Sequence, residues 1–353
     1  MIRIALIGCG RIARRHADLL GANQIAGAQL AAVCDVVPER AAFFGDKYRV
    51  PAFTSITDLL AQPGIDAVSV LTPSGMHADH AVLVARSGRH VIVEKPMALT
   101  LDDADRMIDA AHSAGVRLFV VKQNRFNVPV LKAREALDAG RFGKLVLGTV
   151  RVRWCRDQAY YDQDSWRGTW AQDGGVIANQ ASHHVDMLGW FMGPVDSIQA
   201  YGARRLACIE AEDTCVATLR FRNGAVGVVE ATGATRPKDL EGSLSVLGEG
   251  GTVEIGGFAV NKIRHWQFVQ SQEADSEVMD KFSVNPPSVY GFGHQAYYEH
   301  VVSVLDGKTH ALVDGIEGRA SLELVCALYE AMASGTEVRL PLHQTLHSRL
   351  GRG

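Results

Sequence analysis

Ile2-Arg3-Ile4-Ala5-Leu6-Ile7-Gly8-Cys9-Gly10-Arg11-Ile12-Ala13 decides the fold of the first third of the chain. The run Ile2 to Ile7 reads as a buried strand, the glycines end it, and Ile12 to Leu20 carries apolar residues at helical spacing. In that strand, turn and helix, Gly8 permits a tight turn and Gly10 lets backbone approach a ligand. Ala13 allows the helix to pack closely on the sheet. Free N–H groups where the helix opens, at Arg11 and Ile12, suit a pyrophosphate. Asp35 ends the next strand at the distance from which a carboxylate accepts from ribose hydroxyls. Val36 and Val37 follow it, with no adjacent arginine to hold a 2′-phosphate and Arg40 the nearest exception. The spacing therefore predicts NAD rather than NADP.

Outward from this motif, short β-branched runs alternate with helical stretches up to about residue 120. Strands are predicted at Ile2 to Ile7, Gln29 to Cys34, Ala67 to Leu71, His90 to Val93 and Arg117 to Val121. Helices are predicted at Ile12 to Leu20, Pro38 to Tyr48, Met76 to Ser87 and Leu101 to Ala114. This is the pattern of a doubly wound parallel sheet, and the domain is bounded at residues 1–122. A bridging helix at Val130 to Leu137 leads into residues 123–353, where the runs lengthen and alternate. Lys144 to Trp154, Thr214 to Phe221 and Ala225 to Glu230 are predicted strands, and Asn223-Gly224 predicts a type I′ hairpin between the last two. Helices follow at Gly293 to Leu305 and Ile316 to Ser334. The second domain is thus expected to be α/β with a large, mostly antiparallel open sheet. An open sheet needs a covered face, so a homo-oligomer, dimer or tetramer, is expected.

Composition narrows the function classes. The chain has 353 residues, 47% of them hydrophobic, and a net charge of −3 from 36 basic and 39 acidic residues, enough to fill two cores without any polybasic stripe for nucleic acid. Neither a leader-like segment nor an apolar run of membrane-spanning length occurs near Met1 or elsewhere, which reads as a cytoplasmic protein. The six cysteines are scattered without a CxxC pair, and no HExxH occurs, so neither a disulfide framework nor a metal is expected.

Glu94-Lys95-Pro96 follows the strand at His90 to Val93, which places it at the carboxyl ends of the parallel strands, where ligands of such sheets bind. A partly desolvated Lys95 beside an oxidised nicotinamide is a candidate proton acceptor. The second candidate cluster is Asp173-Gly174-Gly175, Asn179-Gln180, His183-His184 and Asp186. On a helix, Asn179, His183 and Asp186 share one face, and His183 is a candidate proton shuttle.

Together these residues resemble the glucose-fructose oxidoreductase, inositol dehydrogenase and rhizopine catabolism (Gfo/Idh/MocA) family. The likeness runs over nearly the whole chain, through GxGxxA, Thr72-Pro73 with His77, Gly88 with His90-Val91 leading to Glu94-Lys95-Pro96, and the glycine pair before His183. It implies catalytic roles for Lys95 and His183 and cofactor contacts from Thr72, Pro73, His77, Glu94, Lys95, Gln123 and Trp166. Many members carry aspartate four residues before the histidine, where this chain has Asn179. That departure leaves the proton work to His183 or Lys95.

Further segments narrow the likeness. Lys122-Gln123-Asn124-Arg125-Phe126-Asn127, Trp166-Arg167-Gly168-Thr169-Trp170, Leu240-Glu241-Gly242-Ser243 and Asn285-Pro286-Pro287-Ser288-Val289-Tyr290-Gly291-Phe292-Gly293-His294 resemble the bacterial UDP-N-acetylglucosaminuronate 3-dehydrogenases of O-antigen synthesis. This implies a UDP-sugar acid substrate oxidised at C3, with 2-oxoglutarate as co-substrate in members that recycle bound cofactor. Arg156, Arg167, Arg236 and Lys238 are then candidates for the diphosphate and carboxylate, and Tyr160, Tyr161, Tyr290 and His294 for the uridine, beside Lys95, Asn179 and His183 at the sugar. A dehydrogenase of a free sugar or inositol, and a silent NAD-sensing protein on the same scaffold, are the alternatives.

Overall fold

The computed structural model describes residues 1–257, 259–283 and 292–352. The chain divides into two compact units, one formed by Met1–Gln123 with His294–Ala320, the other by Asn124–Gly293 with Ser321–Gly353. A single boundary after residue 122 is what the sequence predicts. The first unit instead takes back a later segment.

In the first unit, strands β1 (Ile2–Ile7), β2 (Ala28–Cys34), β3 (Ala52–Phe53), β4 (Ala67–Val70), β5 (His90–Val93) and β6 (Leu118–Val120) form a parallel sheet in the order β3-β2-β1-β4-β5-β6. Ile4 to Ile7, Val68, Val70 and Val91 to Val93 are all buried. Helices on both faces demand such continuous apolar strands, which is why these runs do not alternate. The helices are α1 (Ala13–Gly21), α2 (Pro38–Tyr48), α3 (Ile56–Leu60), α4 (His77–Arg86) and α5 (Leu101–Ser113). Strand order reverses between β1 and β4, and sheets of this kind bind ligands beyond the carboxyl ends at that point. Sequence patterning missed β3 and α3, which are too short to show a period. The returning segment is fastened to β6, where Phe119 bridges Asp314 and Val120 N–H donates to Val313 O at 3.4 Å.

The second unit opens with α6 (Val128–Asp138), then builds an eight-stranded sheet from β7 (Leu145–Arg153), β8 (Val195–Ala203), β9 (Thr214–Phe221), β10 (Val226–Thr232), β11 (Glu241–Gly248), β12 (Gly251–Gly256), β13 (Lys262–Phe268) and β14 (Val338–Arg339). Their order is β13-β12-β11-β7-β10-β9-β8-β14. Only the β7/β10 pair is parallel; the other pairings are antiparallel, in agreement with the expected sheet. The short α7 (Gln158–Tyr161) and the buried α8 (Ser182–Met192) fall between β7 and β8. Gly148 on β7 is required by α8: a Cβ there would lie 2.5 Å from Met192 and 2.7 Å from Leu188. Helix α9 (Asp275–Lys281) lies in this unit, whereas α10 (Gly293–Leu305) from His294 on and α11 (Gly315–Ser334) up to Ala320 belong to the first.

The β9–β10 hairpin forms as expected, but its turn is not type I′. Gly224 N–H donates to Phe221 O, and Gly224 alone has a positive φ, +88°, while Asn223 does not. A type I turn over Phe221–Gly224 followed by a left-handed glycine gives a three-residue loop, one longer than the dipeptide reading allowed.

One face of this sheet carries a ladder of ion pairs, with Arg153 bidentate on Glu230 (2.6 and 2.8 Å) and Arg151 and Arg264 reaching Glu241. Beside it stand apolar side chains with no cover in the single chain, Tyr201 (82% exposed), Val216 (48%) and Val226 (49%). No helix among the described residues is long and apolar enough to cross a membrane.

Candidate functional site

The glycine turn is built for a ligand. Gly8 sits at φ +94°, and a Cβ on it would lie 2.8 Å from the Leu71 backbone, so no side chain fits. Around Gly10 the opposite holds: a Cβ there would meet nothing within 4 Å, which leaves space for an approaching group. Ile12 caps α1 without a side-chain hydrogen bond, so no capping side chain takes up the N–H groups at that end of the helix. The Asp35 carboxylate is aimed at this turn by two backbone donors, Cys9 N–H at 2.7 Å and Val37 N–H at 2.8 Å. Each oxygen keeps a lone pair for a ribose hydroxyl. These features of Gly8, Gly10, Arg11, Ile12 and Asp35 fit a dinucleotide. Asp35→Ala should raise the Kd for NAD about ten- to a hundredfold, as expected for a lost charged hydrogen bond, measured by fluorescence titration.

Across the strand switch, His77 ties two loops together. Its Nδ1 lies 2.8 Å from Pro96 O and its Nε2 2.8 Å from Thr72 O. Burial pushes its pKa down, and the two carbonyls offset part of that. His77 is 1% exposed and so acts here as a brace for Thr72 and the Glu94-Lys95-Pro96 loop. Thr72 in turn shares a 3.0 Å hydrogen bond with His80.

Glu94 is also turned inward. Its Oε2 accepts the Lys95 N–H at 3.0 Å and its Oε1 faces His16 Nε2 at 3.0 Å. The Lys95 residue is half-buried at the loop crest. His294, expected at the uridine, is fully buried with Nε2 3.6 Å from Glu94 Oε1. Tyr290 lies outside the described residues.

In the second unit the expected substrate residues form one aromatic and cationic cluster. Tyr160 OH accepts from Arg167 Nη1 at 2.8 Å and from Gln180 Nε2 at 3.2 Å. Arg167 stands 4.7 Å from both the Tyr160 and Trp166 rings, and Arg156 lies 5.0 Å from Trp154 and 5.2 Å from Tyr160. Arg236 Nη2 donates to Arg156 O at 3.2 Å, which brings three of the four expected cations together. Lys238 is exposed in the loop that follows. Tyr161 is buried against Ala207 and Ile209 rather than presented to a ligand.

Asn179, His183 and Asp186 do not share a helix. Helix α8 starts at Ser182, and Asn179 lies in a separate turn, where its amide donates to Asp173 Oδ1 at 2.5 Å. Asp173 Oδ2 holds the Gly168 N–H at 2.8 Å, so this aspartate fastens the Asn179 turn to the Trp166–Thr169 segment. Asp186 is paired with Arg125 through two bonds of 2.9 and 2.8 Å. His183, on the first turn of α8, is 7% exposed.

Two residues of this region were missed. Glu212 Oε1 accepts from Ile177 N–H and from Tyr329 OH, both at 2.9 Å, and Tyr329 OH also accepts Gly175 N–H at 2.8 Å. A Cβ on Gly175 would lie 2.0 Å from Glu212 O, so the glycine pair makes room for this buried brace. Burial pushes the Glu212 carboxyl up to about 7. Nothing local in the sequence links residues 175, 212 and 329.

His184, beside His183, is buried edge-on to Trp154, and neither ring nitrogen has a hydrogen-bond partner among the described residues. Desolvation lowers its pKa to about 4. The folded chain therefore keeps His184 neutral while the unfolded chain protonates it near 6.5. Stability contributed above pH 6.5 is lost as pH falls from there toward 4, by about 3 kcal/mol in all. Urea unfolding at pH 7 and pH 4.5 should show this loss, and His184→Phe should flatten it.

Residues 2–122 match the family model for the Gfo/Idh/MocA oxidoreductase family, NAD-binding Rossmann fold, and residues 134–340 match its C-terminal α/β domain. The fold is similar to the WlbA dehydrogenase from Bordetella pertussis, solved with NADH and UDP-GlcNAcA, with TM-score 0.93, 45% identity and coverage of 97% of this chain and 98% of that one. The corresponding enzyme from Chromobacterium violaceum, solved with the same pair, gives 0.91 and 43%, with 97% of each chain covered. The myo-inositol 2-dehydrogenase of Thermotoga maritima is 33% identical over 65% of this chain and 68% of its own.

Proposed function

The chain belongs to the Gfo/Idh/MocA oxidoreductase family, as an NAD-dependent sugar dehydrogenase acting on a CH–OH group, and from that premise we propose that it oxidises the C3 hydroxyl of UDP-N-acetylglucosaminuronic acid to the 3-keto sugar. The observation that carries this reading is the 45% and 43% identity, along nearly the whole chain, to two dehydrogenases solved with NADH and that nucleotide sugar. The cluster of Arg156, Arg167 and Arg236 on Trp154, Tyr160 and Trp166 supports it. Arg167 is paired with Asp164 and Arg156 with Asp239, each at 3.1 Å, so a diphosphate or a carboxylate would take the forked donors that these pairs leave over.

Bound NAD supplies the hydride acceptor. Lys95 takes the hydroxyl proton, and His183 donates to the same oxygen as carbonyl character develops. Asn179, held by Asp173, contacts the sugar, and Lys238 adds charge at the anionic end. Gln123, Trp166, Thr72 and Pro73 contact the cofactor, while His77 and Glu94 support it through the loops they brace. The product suits a transaminase at the new carbonyl, as O-antigen sugar synthesis requires, and 2-oxoglutarate is the proposed acceptor that regenerates NAD in place.

The deciding experiment incubates the enzyme with the UDP-sugar acid, NAD and 2-oxoglutarate and reads the products by mass spectrometry. A 3-keto nucleotide sugar with 2-hydroxyglutarate is expected. Turnover of myo-inositol or free hexoses alone would replace this substrate. We also propose that copies of the chain pair across the open sheet face at Tyr201, Val216 and Val226. Light scattering should give a dimer or tetramer, and Val216→Lys should shift it toward monomer; a monomeric native protein would refute the pairing.

A further inference from the structure

Behind the Lys95 loop, Glu94 of the Glu94-Lys95-Pro96 motif ends a buried polar chain. It runs from Ser69 Oγ on β4 to Tyr298 OH (2.9 Å), from Tyr298 OH to His16 Nδ1 (2.6 Å), and from His16 Nε2 to Glu94 Oε1 (3.0 Å). The other oxygen of Glu94 accepts the Lys95 N–H at 3.0 Å. His294 closes the group, 3.6 Å from Glu94 Oε1 and edge-on to His16 with ring centroids 5.3 Å apart. Ser69, His16, Glu94 and His294 are all at most 6% exposed. Such a network is costly to bury unless it does work that an apolar core does not.

Its ends indicate what that work is. His16 stands on α1, three residues beyond Ala13 of the glycine motif, and Glu94 is covalently next to Lys95. The two histidines hold the Glu94 carboxyl well below the usual carboxylate range, against the burial that would raise it. A permanent anion thus sits one residue from the candidate base. Other ionisable groups that act on it within this unit are His77 on α4 and Tyr297 and Tyr298 on α10, while Arg15 on α1 acts on His294. Burial raises both tyrosines, so they stay neutral, and Glu94 is the anion of the group.

We infer that Glu94, clamped by His16 and His294, is a positioning residue for Lys95: it fixes the lysine's backbone through the 3.0 Å bond to its N–H and sets a negative charge near the amine, which strengthens the neutral amine as acceptor of the hydroxyl proton. An anion nearby favours the protonated amine, so removal of the charge should make Lys95 more acidic. This rests on the reading of Lys95 as the proton acceptor, but its test does not need the substrate to be right.

Competitive acetylation with acetic anhydride across a pH series, on the NAD-bound protein, reads the amine of each lysine by peptide mass spectrometry. In Glu94→Gln the Lys95 midpoint should fall by about half a unit to one unit, while Lys144 and Lys308, both exposed, stay put. His16→Leu removes the hydrogen-bonded clamp while leaving Glu94 in place, so the carboxylate is no longer fixed beside the Lys95 backbone and the midpoint should move the same way by a smaller amount. This second variant serves if Glu94→Gln folds poorly. An unmoved Lys95 midpoint in a folded variant overturns the inference and reduces the network to scaffolding. Stoichiometric zinc or iron in the purified protein also overturns it, because His16, Glu94 and His294 would then be metal ligands. Failure of the UDP-sugar acid as substrate would sink only the functional reading, since the acetylation midpoint is measured without it.

Discussion

Lys95→Ala should lower kcat about a hundred- to ten-thousandfold, the usual contribution of a general base, and leave the Kd for NAD within about twofold. The split follows from how the loop is built. The backbone N–H of Lys95 is held by Glu94 Oε2, and Pro96 O is held by His77, so the loop keeps its course when the lysine side chain goes. The glycine turn and Asp35 make their contacts on β1 and β2, away from that side chain. Stopped-flow absorbance at the NADH band with the UDP-sugar acid measures the rate, and fluorescence titration measures the cofactor. His183→Asn is the companion variant, and it too should lose turnover and keep cofactor. Full activity in both variants would remove the assignment of either residue to the chemistry. Loss of cofactor binding along with activity would mean that Lys95 serves the nicotinamide and not the hydroxyl.

What the sequence disclosed depended on how local each interaction is. Strand β1 ran from Ile2 to Ile7 as read, because a buried parallel strand needs no partner residue to announce itself beyond its own apolar run. Gly8, Gly10 and Asp35 were legible because a tight turn, an approaching ligand and a strand-end carboxylate each demand one residue type at one spacing. Asn179 misled for the converse reason. Its spacing to His183 was helical, but Asp173 draws the Asn179 amide into a turn, and no residue between them marks where α8 begins. The glycine pair Gly174-Gly175 was visible as a motif, yet its physical cause is Glu212 and Tyr329, brought there from 37 and 154 residues beyond Gly175. His294 shows the same limit. An aromatic near the end of the chain looked like a ligand contact, and only the fold could reveal that residues 294–320 return to the first unit.

Arg125→Leu should cost about 3–5 kcal/mol of stability, because it strands the Asp186 carboxylate in a site where water does not reach. Arg125 and Asp186 have side chains 4% and 1% exposed, joined by two near-parallel bonds of 2.9 and 2.8 Å. The Arg125 guanidinium also lies 4.9 Å from the Trp190 ring, so the same substitution removes a cation–π contact inside α8. Arg125→Lys should recover only part of the loss, since an ammonium matches neither the fork of the carboxylate nor the face of the indole. Urea unfolding followed by tryptophan fluorescence gives the comparison. Asp186 lies three residues after His183 on one helical face, so a displaced carboxylate tilts the start of α8 as well. Turnover in Arg125→Leu should therefore fall further than the folded fraction alone accounts for, whereas the double substitution Arg125→Leu with Asp186→Leu, which removes the orphaned charge, should regain stability without regaining rate. Recovery of both together would mean that the pair holds the fold and has no part in placing His183.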